Sequence, residues 1–409
     1  MEFPLIEKKW FKGQKSLAIV YPNLYYGGVY CLAPLIIYNL VNLKTNWACD
    51  RLFLDRLKDM KNYDLVGFTW QYELDLRYIK QILNKNKPRY TFAGGPCVIQ
   101  NPKALEGLID FFVTGDSEVI LPKILEVYSY DKNSFFNAIS KISGVYVPKK
   151  NKINSYYCDL DIFYPLYQPM PEKIDKNYVF GRCFILEIER GCPFSCKFCA
   201  LKEQKPRYRS FEEIIEILNN GLLLNQRNKV VIYSASFTHP KRKQILEYLI
   251  EKNIRFSVPS IKVEVMDLEI LKLIRKSQTS LTIAPECGEH LRIKLGKLAR
   301  DEEFFKFAKM AKELDFKGIK LYFMVGLPEQ NEDDLREMVG FLERFQEYFN
   351  NIYASIHPYV SKPNTFLLKE FDKKEIKKQI NYLRRNLNIK MKISSVSTAE
   401  KIYKIANFP

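Results

Sequence analysis

The chain predicts an α/β protein: a doubly wound, Rossmann-like parallel sheet, then a partial (β/α)6 barrel, then a basic helical tail. Two observations lead there. Short runs rich in β-branched and aromatic residues alternate with stretches of helical apolar periodicity through both halves of the 409 residues. Strands separated by helices pair in parallel, because each crossover returns the chain in the same direction. A proline-bearing stretch divides the two series. The expected organisation is a sheet domain over 1–147, a linker over 148–178, a barrel over 179–370 and a C-terminal extension over 371–409.

In the first series, Ser16-Leu-Ala-Ile-Val-Tyr21 reads as a short buried strand, closed by Pro22-Asn23 and Gly27-Gly28 and followed by a helix over 31–42. Strands over 51–54, 65–70, 90–93 and 110–114 follow, with helices over 72–84 and 117–128. Such a sheet keeps its ligand crevice beyond the carboxyl ends of its strands. Gly94-Gly95-Pro96 and Gly115-Asp116 stand at two of those ends. Chain reversal or close approach favours a residue without Cβ there, and ordinary turn glycines are the alternative.

The linker opens on Lys149-Lys-Asn-Lys152 and carries Pro165, Pro169 and Pro171, which disfavours long helices. Beyond it, strand candidates at 183–190, 229–236, 255–264, 279–286, 317–326 and 352–359 alternate with helices starting at Phe211, Lys241, Leu268, Asp301 and Glu332. Ser210 ahead of Glu213 reads as a capping box, and Asp301-Glu-Glu303 places acid at a helix N-terminus. Six repeats suggest a barrel, whose chemistry belongs at the carboxyl ends of the strands.

Hydrophobic content of 47% excludes wholesale disorder. No apolar run approaches the eighteen or so residues of a membrane span; the longest lies near Leu32–Tyr38. Lysine and arginine number 64 against 47 acids, an excess that favours a polyanionic partner such as RNA. The excess is steepest from Phe371 to Pro409, with ten basic residues against three acidic ones. Lys373-Lys374, Lys377-Lys378 and Arg384-Arg385 interleave there with Ile376, Ile380 and Leu383 at helical spacing. That pattern suits an RNA-contacting face or a merely solvated one. The opening residues lack the apolar core of a signal peptide, so a reducing cytoplasm is the expected compartment.

Cys192, Cys196 and Cys199 follow the strand-like run Phe184–Arg190 and a Gly-Cys-Pro turn. Thiolates spaced C-x3-C-x2-C in one loop can hold three irons of a cubane cluster and leave the fourth open. Zinc would want a fourth ligand nearby, and the next histidine is His239. Three clustered cysteines also pair badly as disulfides. Cys287 could donate a hydrogen atom or carry a covalent intermediate; a packed thiol is the alternative, as for the other cysteines. Arg207 and Arg209 could bind a phosphate or carboxylate bidentately, or simply face solvent.

The triplet, with Phe198 before its last cysteine and a strand in front, resembles the radical S-adenosylmethionine (radical SAM) superfamily. The resemblance implies a [4Fe-4S] cluster on Cys192, Cys196 and Cys199 whose open iron chelates SAM. One electron, from a donor such as ferredoxin or flavodoxin, then yields methionine and a 5′-deoxyadenosyl radical. It further implies SAM contacts from Phe198 and from later strand ends. Ser234 and Ser236 qualify by position alone, since they depart from the family's Gly-Gly-Glu-like segment. Glu286 could accept from ribose hydroxyls, against a structural salt bridge to Arg292 or Lys294. Met324 and Gly326, the latter in Gly326-Leu-Pro-Glu329, would meet adenine.

Phe256-Ser-Val-Pro-Ser260, Thr282-Ile-Ala-Pro-Glu286, Lys320-Leu-Tyr-Phe-Met324 and His357-Pro-Tyr-Val-Ser-Lys-Pro-Asn364 resemble the YgiQ-like branch, which carries an N-terminal cobalamin-binding-type domain. Tyr21-Pro-Asn, Ala93-Gly-Gly-Pro96 and Thr114-Gly-Asp-Ser-Glu118 are similar to that domain. The match is not complete. No Asp-x-His-x-x-Gly motif occurs, and His239, His290 and His357 all lie in the second half. Cobalamin therefore stays open, with methylation as the outcome if it binds. The alternatives are a cobalamin-independent RNA-modifying radical enzyme and a non-enzymatic iron–sulfur or nucleic-acid-binding protein.

Overall fold

The structure, a computed structural model, describes residues 2–7, 11–201 and 204–408. It divides into two compact units, one taking the chain to Ile185 together with Ile215–Arg227, the other Leu186–Ile214 and Asn228–Asn407.

In the first unit, β1 (Glu2–Phe3) pairs antiparallel with β8 (Met170–Pro171). The main sheet contains β2 (Ser16–Tyr21), β3 (Ala48–Phe53), β4 (Leu65–Thr69), β5 (Thr91–Gly94), β6 (Phe111–Val113) and β7 (Val145–Tyr146), in the order β3-β2-β4-β5-β6-β7. All neighbours are parallel except β6 and β7. The expected parallel α/β sheet is present. The antiparallel β7 is too short to show a period and is held by its partner, with Phe112 and Tyr146 stacked at 5.8 Å. Below the sheet, Phe92 stacks on Phe111 at 5.6 Å among Leu17, Ile19, Leu121 and Phe135.

The strand order reverses at β2, so the crevice rule points to the carboxyl ends of β2 and β4. Asn23 Nδ2 donates to Asp75 Oδ1 at 2.8 Å there. Asp75 is buried and sits within electrostatic reach of Tyr21, Cys31 and Cys97. The indole N–H of Trp70, the residue after β4, is buried and finds no hydrogen-bond partner among the described residues.

Residues 148–178 do not stand free as a linker. Leu160, Tyr164, Gln168 and Met170 are buried, and the Asp116 N–H donates to the Tyr156 carbonyl at 2.9 Å. A Cβ on Gly115 would lie 2.0 Å from that oxygen. This glycine therefore serves the crossing of two backbones within the unit.

The boundary falls within β9 (Phe184–Glu187), and the second unit continues with β10 (Glu189–Arg190), β11 (Arg207–Tyr208), β12 (Lys229–Tyr233), β13 (Arg255–Ser257), β14 (Ser280–Glu286), β15 (Gly318–Val325), β16 (Ile352–Pro358) and β17 (Lys390–Ile393). Two sheets result, β13-β12-β9 and β14-β15-β16-β17, with β10 and β11 forming a separate antiparallel ribbon. Among the described residues these strands form no closed barrel. The strand expected over 255–264 stops at Ser257, two residues before Pro259. Side chains then take over from strand pairing: Ser277 Oγ both donates to and accepts from the backbone of Phe256 at 2.7 Å, and Gln278 Oε1 accepts from the Val258 N–H at 2.8 Å.

The tail also differs from a purely helical extension. Its helix Lys373–Asn386 buries Ile376, Ile380 and Leu383 as the spacing required, and β17 then joins β16 in parallel. The alternation Lys390-Met-Lys-Ile393 is the sequence signal for that strand, short and flanked by helices on both sides.

Burial raises the Asp75 carboxyl from 3.8 to about 6, against the lowering effect of the Asn23 hydrogen bond and Arg77. The native state thus holds this proton more tightly than the unfolded chain. The resulting stability is complete below 3.8 and is lost as pH rises through about 6. Asp75→Asn should flatten this decline in urea-unfolding midpoints. Identical pH profiles for wild type and variant would contradict the assignment.

Candidate active site at the cysteine loop

The cysteine loop leaves the β10 ribbon through Gly191, whose φ is +87°. A Cβ there would lie 2.4 Å from the Lys205 carbonyl oxygen, so both conformation and space call for glycine. The Cys192 N–H donates to the Gln204 carbonyl at 3.0 Å, the Cys199 N–H to that of Cys196 at 3.0 Å, and the Leu201 N–H to Cys199 Sγ at 3.4 Å. The loop is held from outside as well. The Lys197 N–H donates to the Leu295 carbonyl at 2.9 Å, and its own carbonyl accepts from the Phe366 N–H at 3.1 Å.

Cys196 is buried, Cys192 and Cys199 are half-buried, and all three are free thiols. Burial pushes the Cys196 thiol up, and Lys262 and Lys297 oppose it. Burial also raises Cys199, with the Leu201 N–H and Lys262 working in the other direction. Lys262 stands 4.0 Å over the Phe194 ring within the loop. The site thus supplies three thiols, with lysines acting on Cys196 and Cys199, which suits thiolates once the protons leave. Convergence of three donors on one point, which a single tetrahedral ion asks for, is not found among the described residues. A cubane asks instead that each thiolate take its own iron.

Beneath the loop lies a residue that sequence reasoning missed. Glu189 is 2% exposed. Its Oε1 accepts from the Ser236 N–H at 3.1 Å and the Ser236 hydroxyl at 3.2 Å, and its Oε2 from the Thr238 N–H at 2.9 Å and hydroxyl at 3.3 Å. The carboxylate ties the strand before the cysteines to the loop after β12. An acid inside an otherwise apolar run was the available signal; its partners, some fifty residues away, were not visible.

The expected SAM contacts separate into distinct environments. Ser236 is fully buried and engaged with Glu189, while Ser234 and Phe198 remain half-buried. Glu286 ends β14 after a register shift, with φ +73°. Its ion pair is with Lys297 at 3.0 Å, and Lys297 also donates to the Ala284 carbonyl. Arg292 instead pairs with Asp301, and Lys294 with Glu329. Met324 lies half-exposed on one face of β15 and Val325 is buried on the other. The room left at Gly326 is filled from the helix Lys373–Asn386, since a Cβ there would meet Ile376 Cγ1 at 2.6 Å.

Arg209 is buried, its Nε donating to the Glu187 carbonyl at 3.3 Å, and does not face solvent. The Arg209 carbonyl accepts from His239 Nε2 at 2.7 Å, since Nδ1 is occupied as acceptor by the Lys241 N–H at 3.0 Å. Cys287 is buried with its thiol strongly raised by desolvation, which suits packing.

The site is a three-cysteine loop following the first strands of a parallel α/β unit. Comparison with known proteins specifies its family. The family described as Radical SAM superfamily matches residues 186–342, and that described as Radical SAM proteins, N-terminal, matches 54–148. A relative in Methanocaldococcus jannaschii, the uncharacterized protein MJ0966, is 30% identical over 387 residues, covering 91% of this chain and 83% of that one. The hopanoid C-3 methylase of Methylococcus capsulatus is 27% identical over 181 residues, 40% of this chain and 34% of that protein. Among solved structures, the radical SAM methyltransferase TsrM from Kitasatospora setae superposes with a TM-score of 0.62 at 14% identity, covering 84% of this chain and 73% of that one. The chain belongs to the radical SAM superfamily and is an enzyme.

Glu189→Ala should destabilise the second unit by about 2–4 kcal/mol, because buried N–H groups of Ser236 and Thr238 lose their acceptors. Glu189→Gln keeps one acceptor oxygen and should lose less. Urea unfolding checks the order, and an alanine variant as stable as wild type would contradict it.

Proposed function

We propose that Cys192, Cys196 and Cys199 hold a [4Fe-4S] cluster beside bound SAM, and that this pair, when loaded and reduced, supplies a 5′-deoxyadenosyl radical for substrate modification. The observation carrying this reading is the clamped cysteine loop at the carboxyl end of β9 and β10, with lysines beside its thiols. Lys262 and Lys297 favour the thiolate form that metal binding requires. Glu286, oriented by Lys297, offers acceptor oxygens for ribose hydroxyls, and Met324 offers apolar contact for adenine. Phe198 and Ser234 border the same region, and Ser236 acts through Glu189 to fix the loop. A cytoplasmic setting with ferredoxin or flavodoxin as electron donor belongs to this reading.

Methyl transfer is the favoured outcome, supported by the likeness to a named methylase and by the fold of a named methyltransferase. Cobalamin, when bound, would carry the methyl group. The crevice of the first unit offers the orphaned Trp70 N–H, Asn23 and Asp75 for polar contacts. It has no histidine to ligate cobalt. A second reading, cobalamin-independent modification of RNA, draws on the exposed Lys377, Lys378, Arg384 and Arg385 of the helix Lys373–Asn386.

Anaerobic reconstitution with iron, sulfide, SAM and dithionite should yield 5′-deoxyadenosine, and Cys192→Ala, Cys196→Ala or Cys199→Ala should abolish it while the chain stays folded. Full cluster content without 5′-deoxyadenosine would sink the enzyme reading. A corrin absorption spectrum after incubation with cobalamin supports methylation. RNA binding that weakens steeply with salt and with loss of the tail arginines supports the second reading.

A further inference from the structure

The sheet β14-β15-β16-β17 has two unlike faces. Leu321, Phe323 and Val325 of β15 are buried, Phe323 lying 6.1 Å from Phe341 of the helix Glu332–Phe345. The alternate residues Lys320, Tyr322 and Met324 are only half-buried on the opposite, open face. Register extends that face across the sheet. Lys320 pairs with Tyr353, which pairs with Lys390; Tyr322 pairs with Ser355, which pairs with Lys392; Met324 pairs with His357. Residues paired across neighbouring strands project to the same side.

The face carries an excess of positive charge. Lys320, Lys390 and Lys392 form no ion pair among the described residues. The acid at its border, Glu286, is already held by Lys297. Lys320 Nζ donates to the Tyr322 hydroxyl at 2.7 Å, which leaves that hydroxyl's own proton to be donated elsewhere.

His357 lies on β16 level with Met324, one same-face position beyond Ser355, and is bonded through Nε2 to Ser355 Oγ at 2.9 Å and through Nδ1 to Ser394 Oγ at 2.8 Å. Burial lowers its pKa, with Lys320 and Lys392 pushing the same way and Glu286 opposing. Tyr322 and Tyr353 are the other titratable groups facing it from β15 and β16, and Lys390 from β17. A neutral imidazole adds no third positive charge to this face.

We propose that this face is an oxyanion subsite for the substrate, with Lys320, Lys392 and the Tyr322 hydroxyl binding a phosphate or carboxylate group near His357. The subsite rests on reading the second unit as the radical SAM core. It assigns to that reaction a substrate with an anionic group, placed about one to two residue layers, roughly 7–13 Å along the strand, from Met324.

The full-length protein, labelled with nitrogen-15 at histidine, offers three imidazoles to follow, His239, His290 and His357. His357→Gln assigns the signals. Titration with inorganic phosphate, and separately with acetate, should move the His357 signals to saturation while those of His239 hold still. Lys320→Gln combined with Lys392→Gln should weaken the binding about tenfold or more. Tighter binding of phosphate assigns a phosphoryl-bearing substrate, and tighter binding of acetate a carboxylate. His357 signals that ignore both anions, or respond equally in the double variant, overturn the subsite. Should the double variant not fold, the wild-type pH titration decides: a bound anion raises the imidazole midpoint, and an unmoved midpoint overturns the proposal. The titration needs neither SAM nor reductant, so its failure is separate from a failure to form 5′-deoxyadenosine.

Discussion

Glu189 accepts four hydrogen bonds from Ser236 and Thr238 while almost wholly removed from water, and the walls of the cysteine loop hang from that arrangement. A carboxylate in such a place is costly unless its oxygens are satisfied, which is why two loops distant in sequence are forced to one position. One residue further, Arg190 returns to Glu187 in a paired contact at 2.6 and 2.9 Å. Gly191 then turns the chain with a positive φ that a side chain would obstruct. Strand, turn and thiols are positioned by this sequence of local commitments.

A second constraint is the pleat. Along β15 every other residue is buried against helices, so the residues between them are free to be polar without loss of core. The register shift at the end of β14 adds a further effect, because it brings Glu286 out with a left-handed backbone and into reach of Lys297. The charges around the thiols and along the open face are therefore set by strand geometry. The hydrophobic face anchors the sheet, and the opposite face is left to polar and charged side chains.

Much of this was legible in the chain. The strands β2, β4, β12, β14, β15 and β16 coincide closely with apolar runs, because strands buried in parallel sheets read as continuous hydrophobic segments. The cysteine loop was legible for a different reason, since short spacing brings its thiols together whatever the tertiary structure. The elements that escaped are those stabilised from elsewhere. β7 is a two-residue strand held by β6, and the expected strand after Ser257 yields to hydrogen bonds from Ser277 and Gln278. Gly326 was read as room for a ligand, and Ile376 occupies it.

The sequence by itself determined the α/β alternation, the cysteine loop and the basic amphipathic tail, since each depends on residues within one or two turns of each other. Only the tertiary structure decided that the tail supplies β17, that Ser236 serves Glu189, that Glu286 pairs with Lys297, and that Lys320, Lys392 and His357 share a face. These are pairings across tens of residues. Their partners are chosen by strand register and burial, quantities that no local pattern encodes.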